Sequence, residues 1–299
     1  MRGLCRPCYE SCRMNDLDPR LNAFRPDLAD ARLKGKVEAA RFAAGTARRV
    51  IAASAPLKRT PRPDASLDSE VLRGEVFTVF AEDDDGWSWG QLDTDRYVGH
   101  VPTNALGPIA PEPTHRIAVL RAFAYPGPDM KLPASGTLSL GACLALDQEA
   151  TTRGSSYRRI AGGEGWVLAV VGQPIAAPPE NDFVAVAERF LNVPYLWGGR
   201  TGLGVDCSSL VQLALMTAGK SAPRDTDQQE AMLGRAVEGG IAAPLHRGDL
   251  VFWKGHVAVL IDGEYVVHAS GHHAMVVIEP LAEAVARIAS PPTSLRRLA

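Results

Sequence analysis

The stretch VGQPIAAPPEND, residues 171–182, splits this chain of 299 residues into two parts with different hydrophobic patterns. Its prolines remove backbone donors and fix φ, so neither a helix nor a central strand runs through it. Before it, apolar runs are short and are cut by Gly, Pro and Asp. After it, the order is helix, turn, helix, and then a dense group of strands. One continuous sheet cannot satisfy both patterns, which predicts an all-β portion followed by an α+β domain.

Within the β portion, RRVIAASAPLKRTPRP reads as a strand and a Pro-rich loop. GEVFTVFAEDDDGWSWGQL reads as two strands joined at the acidic turn EDDDG, a hairpin signal. RYVGHVPTNAL adds a short strand with a closing turn. HRIAVLRAFAYPGPDMKLP, GTLSLGACLALDQ, SSYRRI and GEGWVLAVVG repeat that order more weakly. Units of about 60 residues with this punctuation suggest small barrels, here at residues 46–110 and 111–173.

Residues 1–45 are expected to form a tail and an arm that packs on a later domain. The arm is helix-like in DLADARLKGKVEAARFAAG, with Gly45 as its stop. Cys5, Cys8 and Cys12 form a C-x-x-C-x-x-x-C run of the kind that holds a metal or cluster. No fourth ligand lies nearby, so a tail without metal is the expectation. Five cysteines, an odd number, suit a reducing compartment better than a disulfide framework. The net charge of −2 gives no global basic field for nucleic acid. No apolar stretch reaches the length of about 18 residues that a membrane span needs. The first twenty residues lack the continuous apolar core of a signal peptide, which makes the cytoplasm the default location.

Past the connector, Phe183, Val186, Ala187, Phe190 and Leu191 recur at helical spacing until Pro194. GGRTGLG then lacks the GxxxxGK[ST] pattern of a phosphate loop and follows no strand, so a flexible active-site or surface loop is expected. GVDCSSLVQLALMTAG, residues 204–219, places Cys207 where this glycine-rich turn becomes a helix. Leu210, Val211, Ala214, Leu215 and Ala218 share one face, and Gly219 is a natural stop. A cysteine in the first turn meets unpaired N–H groups and partial positive charge, which stabilise a thiolate. Cysteine is also a common small core residue, but Asp206, Ser208 and Ser209 make this surface polar.

A nucleophilic thiol needs a base. In RGDLVFWKGHVAVLIDGEYVVHAS, HVAVLID and YVVHAS form a hairpin around DGE. His256 begins the first strand and His268 ends the second, so antiparallel pairing sets them side by side. One histidine then serves as base and an adjacent group fixes its tautomer. Two histidines and a cysteine are also zinc ligands, but a zinc site needs a further acidic or thiol ligand at close spacing. Nucleophilic catalysis fits a helix-start cysteine better.

VPYLWGG, GVDCSSLVQLAL, PRDTDQQ, RGDLVFWKGHVAVLID and YVVHAS, spread in order over residues 180–290, resemble the NlpC-type cysteine endopeptidases of bacterial cell-wall peptides. The resemblance implies a papain-like domain at 180–299 behind two SH3-like barrels, with Cys207 as nucleophile, His256 as general base and His268 as the orienting residue. The family's usual DCSG reads DCSS here, with Ser209 in place of glycine. The branch with tandem bacterial SH3 domains cuts the γ-D-glutamyl–diamino acid bond of murein peptides that have a free N-terminus. In that branch Tyr195, Asp206 and Ser208 would contact the substrate's amino end. No metal or organic cofactor is implied, and the partner is a murein peptide. The first barrel is expected to close one end of the groove, with the turn Glu82–Asp85 either contributing or forming a solvated tip. Two rivals remain at this level: a wall-peptide-binding module with an inactive peptidase domain, and a papain-like amidase or acyltransferase.

Overall fold

The computed structural model describes residues 17–163 and 165–298. Cys5, Cys8 and Cys12 lie outside the described residues.

The arm is not a helix. Ala29–Asp30 pairs in parallel with Phe42–Ala43, with a single 3-10 turn at Ala31–Leu33 between them. Ala29, Leu33 and Val37 recur every four residues, which mimics a helix. They instead meet in one small cluster with Phe24 and Phe42, because Gly35 turns the chain at φ +81°. A left-handed residue at that point ends any helix and suits glycine. Gly45 precedes a strand rather than capping a helix. Leu28 and Ala23 pack on Phe80 and Trp89 of the first β unit, and the Arg25 guanidinium lies 4.2 Å from the Trp89 ring centroid.

That unit has a five-stranded antiparallel sheet in the order Val98–Pro102, Trp87–Leu92, Val76–Glu82, Thr46–Val50 and Leu106–Gly107. Ser54–Leu57 pairs with Ser69–Leu72 beside it. Inward residues alternate along the strands, and Val50, Leu57, Val71, Phe77, Leu92 and Val101 form the core. A 3-10 turn, Thr103–Ala105, links the last two strands. The second unit builds a five-stranded sheet around Arg121–Tyr125 and Trp166–Leu168 and a three-stranded sheet around His115–Ile117. Its strand Trp166–Leu168, 3-10 turn Ala169–Val171 and strand Gly172–Pro174 repeat the end of the first unit.

The C-terminal part is a six-stranded antiparallel sheet between helices. Its strand order is Arg235–Ala236, Ser294–Arg297, Leu250–Trp253, His256–Leu260, Tyr265–Ser270 and Met275–Pro280. Helices α1 (Phe183–Glu188) and α2 (Cys207–Thr217) cover the face that carries Val257, Val259 and Val267. Helix α3 (Thr226–Met232) follows, and α4 (Leu281–Ile288) covers Ala258, Leu260 and Val266 on the opposite face. Helix α1 ends before Pro194 is reached, with Asn192 left-handed at φ +66°. Its inner residues are Val184, Val186 and Ala187, whereas Leu191 is exposed. Helix α2 is buried on all sides from Cys207 to Leu215, not on one face, because the β units cover the side that faces away from the sheet.

The glycine-rich loop is a packed seam rather than a flexible surface loop. A Cβ on Gly198 would stand 2.5 Å from the Leu67 carbonyl oxygen of the first unit. One on Gly202 would stand 2.1 Å from the Leu120 oxygen of the second. Only bare backbone fits this close approach. Between them Arg200 is fully buried, in a bidentate pair with Glu75 at 2.9 Å and a bond to Gln212 at 2.6 Å.

Candidate active site

Asp206 starts α2. Its carboxylate accepts the N–H of Ser209, and the Ser209 hydroxyl accepts the N–H of Asp206, a reciprocal cap. Cys207 is therefore the first helical residue, as its sequence position predicts. Its thiol meets the Thr226 hydroxyl at 3.7 Å and the Gly255 carbonyl at 4.0 Å, and the N–H of Val257 also faces it. The backbone on both sides of His256 thus touches the sulfur, while no hydrogen bond joins the sulfur to the His256 ring among the described residues.

The two histidines are brought together. Val259 pairs with Val267, which sets His268 diagonal to His256 on the same face. His256 Nε2 and His268 Nδ1 are 2.7 Å apart. His268 lies two residues inside its strand rather than at its end. The facing nitrogens are spent on each other instead of converging on a third point, which is not the arrangement of two zinc ligands.

Burial works against the thiolate expected at the helix start. Burial, and then the Asp206 charge, push the Cys207 thiol up to about 11. Burial pushes His256 down to about 3 and His268 down to about 4. Desolvation outweighs the helix N-terminus here because the buried thiol sits beside a carboxylate. Both shifts favour the neutral thiol and the neutral imidazole.

The sulfur opens into a cleft of about 290 Å³. Tyr195, Trp197, Asp206, Ser208 and Gly255 line it from the peptidase side, and Arg59, Asp68 and Tyr97 line it from the first β unit. Burial raises Tyr195 to about 12, so its phenol stays a donor. Asp206 is committed. It accepts Arg224 at 3.0 and 2.6 Å, the Ser208 hydroxyl, and the N–H groups of Gly198 and Ser209. Asp225 and Asp227 are bound by Arg20 of the arm at 2.8 and 2.7 Å, and the Tyr97 hydroxyl donates to Asp225 at 3.1 Å. Asp68 has the weakest cationic partner of the cleft's carboxylates, the Arg59 guanidinium at 3.5 Å on a side chain 73% exposed, and it also accepts the Arg59 N–H at 2.6 Å. The turn Glu82–Asp85 does not line the cleft; Asp83 accepts the N–H groups of Asp85 and Trp87, closing a hairpin tip.

Sequence reasoning assigned no role to Arg20, Asp68, Tyr97, Arg224 or Thr226. Arg224 and Thr226 stand in PRDTDQQ, where Pro and two acids beside an arginine mark a helix start and a charge pair. Asp68 and Tyr97 sit more than a hundred residues from Cys207 and carry no local signal.

A buried thiol at the head of the central helix, backed by paired imidazoles in this fold, defines a cysteine-type peptidase. Residues 192–288 match the NlpC/P60 family, and residues 57–106 match the bacterial dipeptidyl-peptidase Sh3 domain. The chain thus carries an NlpC/P60 domain preceded by an SH3 domain of the dipeptidyl-peptidase type. It is 28% identical over 238 residues to dipeptidyl-peptidase 6 of Lysinibacillus sphaericus, covering 74% of this chain and 86% of that protein. It is 33% identical over 115 residues to a gamma-D-glutamyl-L-lysine dipeptidyl-peptidase of Bacillus cereus, covering 36% of this chain and 33% of that one. The crystal structure of an NlpC/P60 family protein from Bacillus cereus has the same fold, with a TM-score of 0.66 at 23% identity over 84% of this chain and 99% of that one.

Proposed function

We propose that the protein hydrolyses the γ-D-glutamyl–diamino acid bond of murein peptides with a free N-terminus and releases L-Ala-D-Glu. The carrying observation is the wall that Asp68 and Tyr97 add to the cleft beside Cys207. A groove blocked there has room for a short amino-terminal segment before the cut. The weakly neutralised Asp68 suits its ammonium. Tyr195 and Ser208 supply hydroxyls near it, while Asp206 acts through Arg224. The names of the relatives in Lysinibacillus and Bacillus support the same substrate class.

In this reading His256 takes the thiol proton as the Cys207 sulfur attacks the γ-carbonyl carbon. Burial disfavours charge on either partner before that point. The oxyanion accepts the N–H of Cys207 at the helix start. Collapse breaks the C–N bond, and His256 returns the proton to the leaving amine. Water then hydrolyses the thioester, releasing the dipeptide and restoring the thiol. His268 holds the His256 ring throughout.

We read residues 111–173 as a second SH3-like barrel, supported by the repeated strand, 3-10 turn and strand. Under these boundaries the first barrel spans 46–110 and the peptidase domain 180–299. A short closed groove suits released peptides better than intact wall, which fits a recycling role in the cytoplasm. The test compares kcat/KM on L-Ala-γ-D-Glu-diaminopimelate with its N-acetylated form. The acetylated peptide should be cut at least about a hundredfold more slowly, the loss expected when a buried charge partner is left unmatched. Equal values, or efficient release of peptides from intact wall, would replace this reading with a general wall endopeptidase.

A further inference from the structure

The His256–His268 pair does not end at His268. His268 is 1% exposed, and its Nε2 lies 2.6 Å from Oε1 of Glu279, itself buried. The Arg287 guanidinium of α4 reaches the same oxygen. The sheet register explains the alignment. Val266 pairs with Glu279, His268 with Val277, and Val259 with Val267. His256, His268 and Glu279 therefore form a diagonal across three neighbouring strands on one face.

We propose that Glu279 is a positioning residue that sets the tautomers of both catalytic histidines, which makes the cysteine–histidine–histidine site a four-membered relay. This rests on the reading of Cys207 and His256 as nucleophile and base. An ionised carboxylate only accepts hydrogen bonds, so His268 must carry its proton on Nε2. A neutral imidazole has one N–H. His268 Nδ1 is then a bare acceptor, and it requires a proton on His256 Nε2. That leaves His256 Nδ1 as a lone pair, which is the form a base needs. Without Glu279, His268 is free to carry its proton on Nδ1. It would then donate to His256 Nε2, drive that ring's own proton to Nδ1 and remove the base. Glu279 also places a negative charge one ring away from the imidazolium that forms on His256. Arg287 pairs with that carboxylate and offsets part of its field. The other titratable group acting on His268 is His273, in the turn after the Tyr265–Ser270 strand.

The test uses the full chain with 15N-labelled histidine and the variants Glu279→Ala and Glu279→Gln. Ring 15N shifts and two-bond 15N–1H couplings read the tautomer directly, without substrate. The wild type should show Nε2–H on both His256 and His268. Glu279→Ala should show mixed or Nδ1–H forms, and its kcat should fall about 10- to 100-fold with little change in KM, the range for removing the partner that orients a functional histidine. Glu279→Gln keeps an acceptor and the shape. It should hold the tautomers largely in place and lose less kcat, with a pH–rate profile whose acid limb moves because the charge is gone. Wild-type Nδ1–H on His256 overturns the proposal, as does a Glu279→Ala enzyme that keeps Nε2–H on both rings or keeps kcat within twofold. If no peptide is hydrolysed by the wild type, the function proposed above fails, while the tautomer readout still decides the role of Glu279.

Discussion

Arg200→Met should weaken the whole molecule, because Arg200 is the centre of the seam between the peptidase domain and the first β unit. Its side chain is 0% exposed and that of Glu75 is 7% exposed. The substitution removes both bonds to Glu75 and the bond to Gln212. Glu75 keeps only the N–H of Leu72 at 2.7 Å, so a buried carboxylate loses its counter-charge. Breaking a buried pair from one side costs about 3–5 kcal/mol, a large part of the roughly 5–15 kcal/mol that holds a typical domain together. Adding Glu75→Gln removes the stranded charge while keeping an acceptor for Leu72. The double variant should regain about half of the loss, since the penalty lies mainly in the uncompensated ion. Urea unfolding of the wild type, both single variants and the double variant, followed by tryptophan fluorescence, gives the interaction energy. A loss below about 1 kcal/mol in Arg200→Met, or a double variant no more stable than it, would refute the reasoning. The variant should also lose activity at temperatures where it stays folded, because Asp68 and Tyr97 reach the cleft only while the barrel is docked.

Cys207→Ala should abolish hydrolysis without unfolding the chain, measured by product release and far-UV circular dichroism; retained turnover would remove the catalytic role. Site-resolved iodoacetamide labelling of Cys207 should be slow at pH 7 and climb about tenfold per pH unit toward pH 10, because the thiol's pKa is raised to about 11; a rate already at its plateau near pH 7 would mean a resting thiolate. His256 and His268 lie below the ordinary 6.5, at about 3 and about 4, so the unfolded chain binds more protons than the folded one between these values. Stability should therefore be full above pH 6.5 and be lost as the pH falls toward 4. His268→Gln should lose less of its melting temperature than the wild type between pH 7 and pH 4.5, and an equal loss would assign the acid sensitivity elsewhere. Gly202→Ala should cost about 1–3 kcal/mol, because its Cβ would meet the Leu120 oxygen at 2.1 Å; a neutral result in thermal melts would show that the seam yields.

The placement of Cys207 beside the two histidines was more legible in the sequence than the rest of the cleft. Cys207, His256 and His268 lie in one continuous domain. A helix cap and a hairpin register are local rules, and they suffice to set the two rings at 2.7 Å. The burial of the thiol was not legible, because it depends on packing from Thr226 and the Gly255 turn. The arm misled because Ala29, Leu33 and Val37 recur at a helical interval around a turn fixed by Gly35. The glycine-rich loop misled for a related reason. Glycine marks both freedom and close contact, and only the carbonyls of Leu67 and Leu120 decide between them here. Asp68 and Tyr97 reach the cleft, and Glu279 reaches His268, through tertiary placement that no short spacing encodes.

The strand Ser294–Arg297 is among the last residues of the chain, yet it lies inside the sheet, between Arg235–Ala236 and Leu250–Trp253. Synthesis delivers the β units first and this strand after the five others of its sheet. Until it inserts, the Leu250–Trp253 strand has an open edge, and the histidine-bearing strands beyond it rest on an unfinished sheet. The ion pair between Arg297 and Asp249, at 2.6 Å, forms in the same step. A nascent chain would thus carry its thiol with no completed sheet behind the paired histidines until Ser294–Arg297 inserts.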